Sequence, residues 1–457
     1  MSPSVLIICA RFPPVNVSSI HRTVALCRHL IAAGHRTTVL TMPPLNGQLV
    51  DPTLLSRVPG AVEIVAVRPW LQKWITNEGK RAAGPEQATA SKPAAESDLP
   101  PSLRSWASWW LRTPDKWTPW LAPALRRILR YARTNRLDVI YSTAPVWTAH
   151  LVAMAAAARL KLPWVADCRD PWHANPFRRF PHAAHRRLDA ALERHMVNRA
   201  WRVICNTQGA ADDFARRFPD RAGSFVAIPN GYDADDVAAA LAEPDRSDDG
   251  LCRLVHTGNF YGARSPRPLL AAMALLGRRR PDLRSRVRLV QIGLDSYQDQ
   301  PLSDLARQCG AGDMIEVAGT MPHARALQAV RQADVAVVVG HDGPGSDLQI
   351  PRKFYEYIGL GKSVLVTGGS CAGITQLLAG RSRESIWMIP EQSDCGKLAD
   401  AIEQIVVQWQ GGRLAGREDL RTDFTSEVMA QRIRRVLVEA VMASAEPDMT
   451  AAGGELS

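Results

Sequence analysis

Short apolar runs of strand length alternate along this chain with segments of helical period, on both sides of a polar, proline-bearing break at residues 243–250. Few architectures accept that rhythm, because parallel strands need crossover helices and both faces of the resulting sheet must be covered. The fold class is therefore α/β. Expected strands lie at 5–10, 37–41, 62–67, 138–142, 163–167, 201–205 and 225–228, then at 252–257, 287–292, 314–318, 334–339 and 363–366. A chain of 457 residues calls for two domains, since single cores stop growing near about 250–300 residues. The expected division is a first domain at 1–242, a linker at 243–250 and a second domain at 251–412. Helices at 413–443 have room to pack back across the junction. The stretch 77–101, rich in Ala, Pro, Ser, Glu and Lys, reads as a disordered insertion, and 444–457 as a disordered tail.

The eight cysteines are scattered, with no C-x-x-C pair, which fits free thiols in a reducing compartment. Residues 5–10 are too short for a signal core and far short of the ~20 residues of a membrane span. A cytoplasmic protein without transmembrane helices is the expectation. The formal charge of +11 suits an anionic partner, whether nucleotide phosphate, an anionic membrane surface or nucleic acid. Arginine pairs at 178–179 and 186–187 would serve a nonenzymatic nucleic-acid binder. No RNA-binding aromatic motif, zinc spacing or helix-turn-helix pattern accompanies them, so nucleic acid is not an expected partner.

One short stretch concentrates the chemistry. IPRKFYEYIGLG at 350–361 reads as a helix with Pro351 at its start and Gly361 just past its end. Phe354, Tyr357 and Ile358 fall on a buried face, while Lys353 and Glu356 share another. An i, i+3 ion pair between those two is the plainest reading. Ahead of the helix lies HDGPGSD at 341–347, following the strand at 334–339. Glycines there let backbone N–H groups come close to a ligand, and the helix points its positive end the same way. The result is an anion-friendly pocket containing Gly345 and Ser346. HTGNFYGARSP at 256–266 repeats the arrangement of strand, glycine-punctuated loop and helix, with Arg264 suited to phosphate oxygens.

IPRKFYEYIGLGKSVLV resembles the donor-site motif of GT-B glycosyltransferases, in particular family four, where P-x-K-x-x-E-Y-x-x-x-G-K-P-V-L is a recurring form. The resemblance covers 3–42, 125–240 and 250–410 and implies two Rossmann-like domains facing across a cleft. The second domain would take a nucleotide-sugar donor. Glu356 would hold the ribose hydroxyls, Lys353 and Arg264 the diphosphate charge, and the Gly258 and Asn259 backbone its oxygens. VAGTMPH at 317–323 is similar to the family's base-holding loop, which brings in Gly319 and Thr320. Where the family has another glutamate, this chain has Leu348. Family members transfer sugar with retention and need no cofactor or metal in this arrangement. A D-x-D element at 233–235 has the form of a metal motif, although acidic residues in a first helical turn are ordinary dipole partners.

In the first half, RFPP at 11–14 resembles the family's opening loop without its Gly-Gly pair. DVIYSTAP at 138–145 and PWVADCRDPW at 163–172 resemble elements of bacterial polysaccharide glycosyltransferases and nominate Asp170, Arg169 and His150 as catalytic candidates. A turn capped by Asp170-Pro171 is the alternative. Seven of the 13 tryptophans fall between 70 and 120, and Arg126, Arg130 and Arg133 form a stripe just beyond. Together they imply an anionic membrane surface as a partner through residues 70–133 and a lipid-linked or glycan acceptor. Tryptophans packing a domain edge over a solvated arginine face are the alternative. A sugar-nucleotide epimerase of the same fold would bind the same donor without an acceptor surface.

Overall fold

A computed structural model describes residues 2–70, 113–173, 175, 180, 182–244, 246, 249–343, 345–414, 416 and 418–445. The expected insertion at 77–101, the end of the tail and Trp74, Trp106, Trp109 and Trp110 lie outside those residues. The first sheet is seven-stranded and parallel: β1 (Val5–Ile8), β2 (Thr37–Thr41), β3 (Glu63–Ala66), β4 (Val139–Ala144), β5 (Trp164–Cys168), β6 (Arg202–Cys205) and β7 (Phe225–Ala227). Its spatial order is β3-β2-β1-β4-β5-β6-β7. The second sheet has six parallel strands: β8 (Cys252–Thr257), β9 (Val287–Ile292), β10 (Ile315–Gly319), β11 (Val335–Val339), β12 (Ser363–Thr367) and β13 (Ile386–Ile389). These run in the order β10-β9-β8-β11-β12-β13. In each sheet the order reverses once, between β1 and β4 and between β8 and β11. Such reversals open a crevice at the strands' carboxyl ends, where ligands bind in folds of this class.

The central strands are largely apolar because helices cover both of their faces, with polar residues such as Asp167 and His256 towards their carboxyl ends. β11, read VAVVV, is buried at every position. In the first domain, Leu6, Ile8, Val152 and Trp164 pack on one face of the sheet. Val5, Ile7, Val24 and Leu30 pack on the other, where Met429, Ile433, Val436 and Leu437 of the last helix, Ser426–Ala445, complete the layer. The chain's C-terminal helix therefore finishes the first domain's core. Each such side chain contributes about 1.5–3 kcal/mol on full burial. Leu348, from the second domain, is likewise part of the first domain's apolar cluster, and its carbonyl accepts from Thr207 Oγ1 at 2.9 Å.

Three local features bear on the sequence reading. β13 is an additional strand of only four residues. Trp117 and Trp120 are core residues, and Trp120 Nε1 donates to the Val67 carbonyl at 3.0 Å. The helix Leu121–Tyr131 buries Ala124, Ile128 and Tyr131, leaving Arg126, Arg127 and Arg130 exposed, with Arg133 just beyond its end. Among the described residues none of these four arginines pairs with a carboxylate. Arg126 lies over the ring of exposed Trp70, 4.9 Å from its centre.

Candidate functional site

The second domain builds its site around Lys353. His256, the fifth residue of β8, places Nδ1 2.7 Å from Gln291 Oε1 on the neighbouring strand β9. Gln291 Nε2 donates to the Gly258 carbonyl at 2.7 Å, so Oε1 is the accepting end. Nδ1 of His256 therefore carries the hydrogen, and Nε2 accepts from Lys353 Nζ at 2.8 Å. Lys353 Nζ also donates to the Thr257 carbonyl at 2.5 Å. Gly258 adopts φ +89°, which a side chain would strain, and a Cβ there would lie 3.7 Å from Lys353 Nζ. Glycine keeps the space beside the amine open. Asn259 fixes the same loop, its Oδ1 accepting from the Leu294 backbone N–H at 2.7 Å.

Arg264 donates to Tyr261 Oη and stacks its guanidinium over that ring at 5.1 Å. Its charge reaches Lys353, His256 and His341, so the loops after β8 and β11 share one electropositive cluster. Burial, then Arg264, pushes Lys353 down to about 7. Burial, then Lys353, holds His256 well below the ordinary imidazole range. The charge of Glu356 offsets this only in part, and an incoming anion would relieve the remaining crowding of Lys353 and Arg264.

The helix Arg352–Gly359 points its N-terminus at this cluster. Glu356 is buried, and its carboxylate lies 2.9 Å from Arg352 and 3.5 Å from His323. Its helical partner is thus Arg352 at i, i+4, in place of the Lys353 pair expected at i, i+3, because Lys353 is turned to His256 and Thr257. Gly319, at φ +73°, ends β10, and exposed Thr320 follows it towards His323. Gly345 takes φ +76°, and Ser346 packs so tightly on Gly369 that a Cβ there would lie 1.9 Å from Ser346 Oγ.

Across the cleft, Arg169 donates to the carbonyls of Ser19 at 2.6 Å, Ala144 at 2.9 Å and Pro145 at 3.3 Å. It is a strut joining the loop after β4 to the entry of the helix Ile20–Ala32. A second buried arginine braces the same face: Arg22 grips Asp167 at 2.8 and 3.1 Å and reaches the carbonyl of Ile228 at 3.1 Å. Burial raises Asp170 from the usual carboxylate range, opposed by Arg169 and by Arg264 of the other domain. Asp170 and Arg264 therefore sit within electrostatic reach across the domains. His150 does not line the cleft. It is 0% exposed, with Nδ1 2.8 Å from Ser142 Oγ and Nε2 3.6 Å from Cys168 Sγ, and burial pushes it down to about 3.

The D-x-D carboxylates serve the junction. Asp233 caps the helix Ala234–Leu241 and, with Asp235, meets Arg28 at 3.2 and 2.8 Å. Asp236 is bound by Arg57 at 2.7 Å. His323 then links Asp236 to Glu356, at 3.8 and 3.5 Å, and its ring lies 5.9 Å from that of His21 in the first domain. Of these residues, His256, Gln291, His323, His341 and Arg352 were not among the sequence's candidates. HTGNFYGARSP contained His256, but its lysine partner is 97 residues away.

Residues 21–236 match the family model described as Glycosyltransferase Family 4. The chain is 29% identical over 159 residues to a D-inositol 3-phosphate glycosyltransferase of Nocardiopsis dassonvillei, a match covering 32% of this chain and 36% of that relative's length. Its fold is similar to that of a sucrose-phosphate synthase from Thermosynechococcus elongatus, with a TM-score of 0.65 at 16% identity over 97% of this chain and 100% of the other. It is also similar to a UDP-forming α,α-trehalose-phosphate synthase from Burkholderia vietnamiensis, with a TM-score of 0.61 at 14% identity over 97% and 100%. A glycosyltransferase from Rickettsia africae gives a TM-score of 0.60 at 11% identity over 96% and 99%.

Proposed function

We propose that this chain, a member of glycosyltransferase family four with the GT-B fold, transfers a sugar from a nucleotide-sugar donor to a glycan or lipid-linked acceptor. The observation that carries the reading is the cluster of Lys353, His256, Gly258 and Arg264, in which an imidazole and a carbonyl hold Lys353 Nζ and Arg264 lies within electrostatic reach of Asp170 in the opposite domain. Ribose hydroxyls bind Glu356, and the diphosphate lies over Gly258 between Arg264 and Lys353. As the sugar–phosphate bond breaks, charge grows on the departing diphosphate. Fixed cations and the dipole of the helix Arg352–Gly359 stabilise that charge without reorganising. Contacts that strengthen as the charge develops are the ones that raise the rate. Asp170 faces the acceptor, Arg169 holds the loop that presents it, and transfer proceeds with retention and without metal. His150 takes no part.

The exposed arginines of the helix Leu121–Tyr131, which pair with no carboxylate among the described residues, favour a lipid-linked acceptor at the cytoplasmic membrane face, in cell-surface polysaccharide synthesis. The test is a thermal-stabilisation screen of nucleotide sugars, followed by assay of nucleoside diphosphate release with and without acceptor. Stabilisation by one nucleotide sugar, with release accelerated by a lipid-linked glycan, is the expected result. Acceleration by a phosphorylated polyol instead would replace the acceptor class, in line with the D-inositol 3-phosphate in the name of the Nocardiopsis dassonvillei relative. Sugar interconversion without any acceptor would mark an epimerase. No stabilisation by any nucleotide sugar would refute the reading.

A further inference from the structure

Resting on that reading, we propose that the site takes up a proton as it binds a nucleoside diphosphate, with Lys353 receiving it and His256 as its hydrogen-bond partner. The geometry is unusual for a lysine. Nζ is hydrogen-bonded to an imidazole nitrogen at 2.8 Å and a carbonyl at 2.5 Å, and among the described residues it meets no carboxylate. Glu356, one turn along the same helix, pairs with Arg352 and His323 and acts on Lys353 through its charge alone, which favours the ammonium but is outweighed by burial and Arg264. The groups facing Lys353 from other elements are His256 on β8, Arg264 on the loop after it, and Tyr357 Oη, which is occupied with Thr257. His341, after β11, faces Arg264. His256 cannot take the proton in place of Lys353 without turning its accepting nitrogen into a donor against the amine.

A half-buried ammonium beside a guanidinium is disfavoured until an anion arrives. Without a bound anion, Lys353, pushed down to about 7, is in large part neutral amine near neutral pH. A diphosphate placed over Gly258 lies beside Nζ, and its charge draws a proton from solvent onto the amine. The bond formed is N–H on Nζ, the proton comes from buffer, and the diphosphate keeps its electrons. The sign follows: below about pH 6 the amine is already charged and uptake vanishes, whereas near pH 8 uptake approaches one proton. Affinity then weakens by up to about tenfold per pH unit above pH 7, until the pKa of the bound state is reached.

Calorimetric titration with UDP, GDP, ADP and CDP in turn, in buffers of different ionisation heat, reads the proton count directly. Lys353→Arg is permanently charged, and Lys353→Met carries no titrating group, so either variant can serve should the other fail to unfold cooperatively. The ligand's own ionisation is common to all three proteins. We expect wild type near pH 8 to take up most of one proton more than either variant, and the difference to disappear near pH 6. Equal proton counts in wild type and variants overturn the inference while leaving glycosyl transfer standing. Should none of the four diphosphates bind wild type, the glycosyl-transfer reading fails and this inference fails with it.

Discussion

Replacing Glu356 by Gln keeps the shape of the side chain and removes its charge, which separates a ribose clamp from a helix ion pair. Its carboxylate is already positioned by Arg352 at 2.9 Å and His323 at 3.5 Å, so the donor meets a preorganised acceptor of hydrogen bonds. A hydrogen bond to a charged group is worth about 1.5–3 kcal/mol against about 0.5–1.5 for a neutral pair. Losing that difference over two ribose hydroxyls costs about 2 kcal/mol, or roughly 30-fold in affinity. The Arg352 pair is largely shielded, with side-chain exposures of 19% and 11%. Its loss adds about 1 kcal/mol of destabilisation, a fall of roughly 2–4 °C in Tm, so binding is measured well below the transition. Calorimetry with a nucleoside and with its diphosphate should show the same loss, since both carry the ribose. The 2′-deoxy nucleotide should lose less. Unchanged affinity, or a loss confined to the diphosphate, would return Glu356 to a structural ion pair.

Arg264→Ala should weaken a nucleoside diphosphate far more than the bare nucleoside and slow turnover; equal losses in titration calorimetry would remove this residue from the phosphate site. His150, pushed by burial from 6.5 to about 3, is neutral in the fold and must protonate on unfolding in acid. Its contribution to stability is thus present above its ordinary value and lost as pH falls from 6.5 towards about 3. His150→Leu should accordingly flatten the decline of denaturant-measured stability between about pH 6 and 4, and an unchanged slope would contradict the assignment. Changing Arg126, Arg130 and Arg133 together to Gln should abolish salt-sensitive co-sedimentation with anionic liposomes, each basic group contributing about 1 kcal/mol. Wild type remaining in the supernatant with anionic vesicles at low salt would end the membrane reading.

The sheet strands were legible because buried parallel strands are continuous apolar runs, and runs such as VAVVV admit few other readings. β13 escaped because IWMI is four residues long, flanked by Ser385 at φ +63° and by Pro390, with no period to read. The helix at 352–359 announced itself by Pro351 and Gly361, yet its charge pairing did not. Local spacing offered Lys353 to Glu356, while the fold delivered His256 to Lys353 from another strand. Tryptophan clustering left packing and a membrane surface both open for the same reason. Trp117 and Trp120 are clustered in sequence because a short turn and helix dock them into one core, whereas Trp70 remains exposed. Arg169 and His150 lie in motif positions, but only tertiary structure distinguishes a buried strut and a packed ring from groups that face a ligand.

Amide hydrogen exchange, with and without the nucleotide sugar that most stabilises the protein, tests most directly the claim that the second domain holds the donor. Binding should protect the loop at 257–264, the turn at 319–323 and the segment from 343 into the helix Arg352–Gly359, while leaving β1 to β3 unchanged. Protection confined to the first domain, or none at a saturating concentration, would contradict the account.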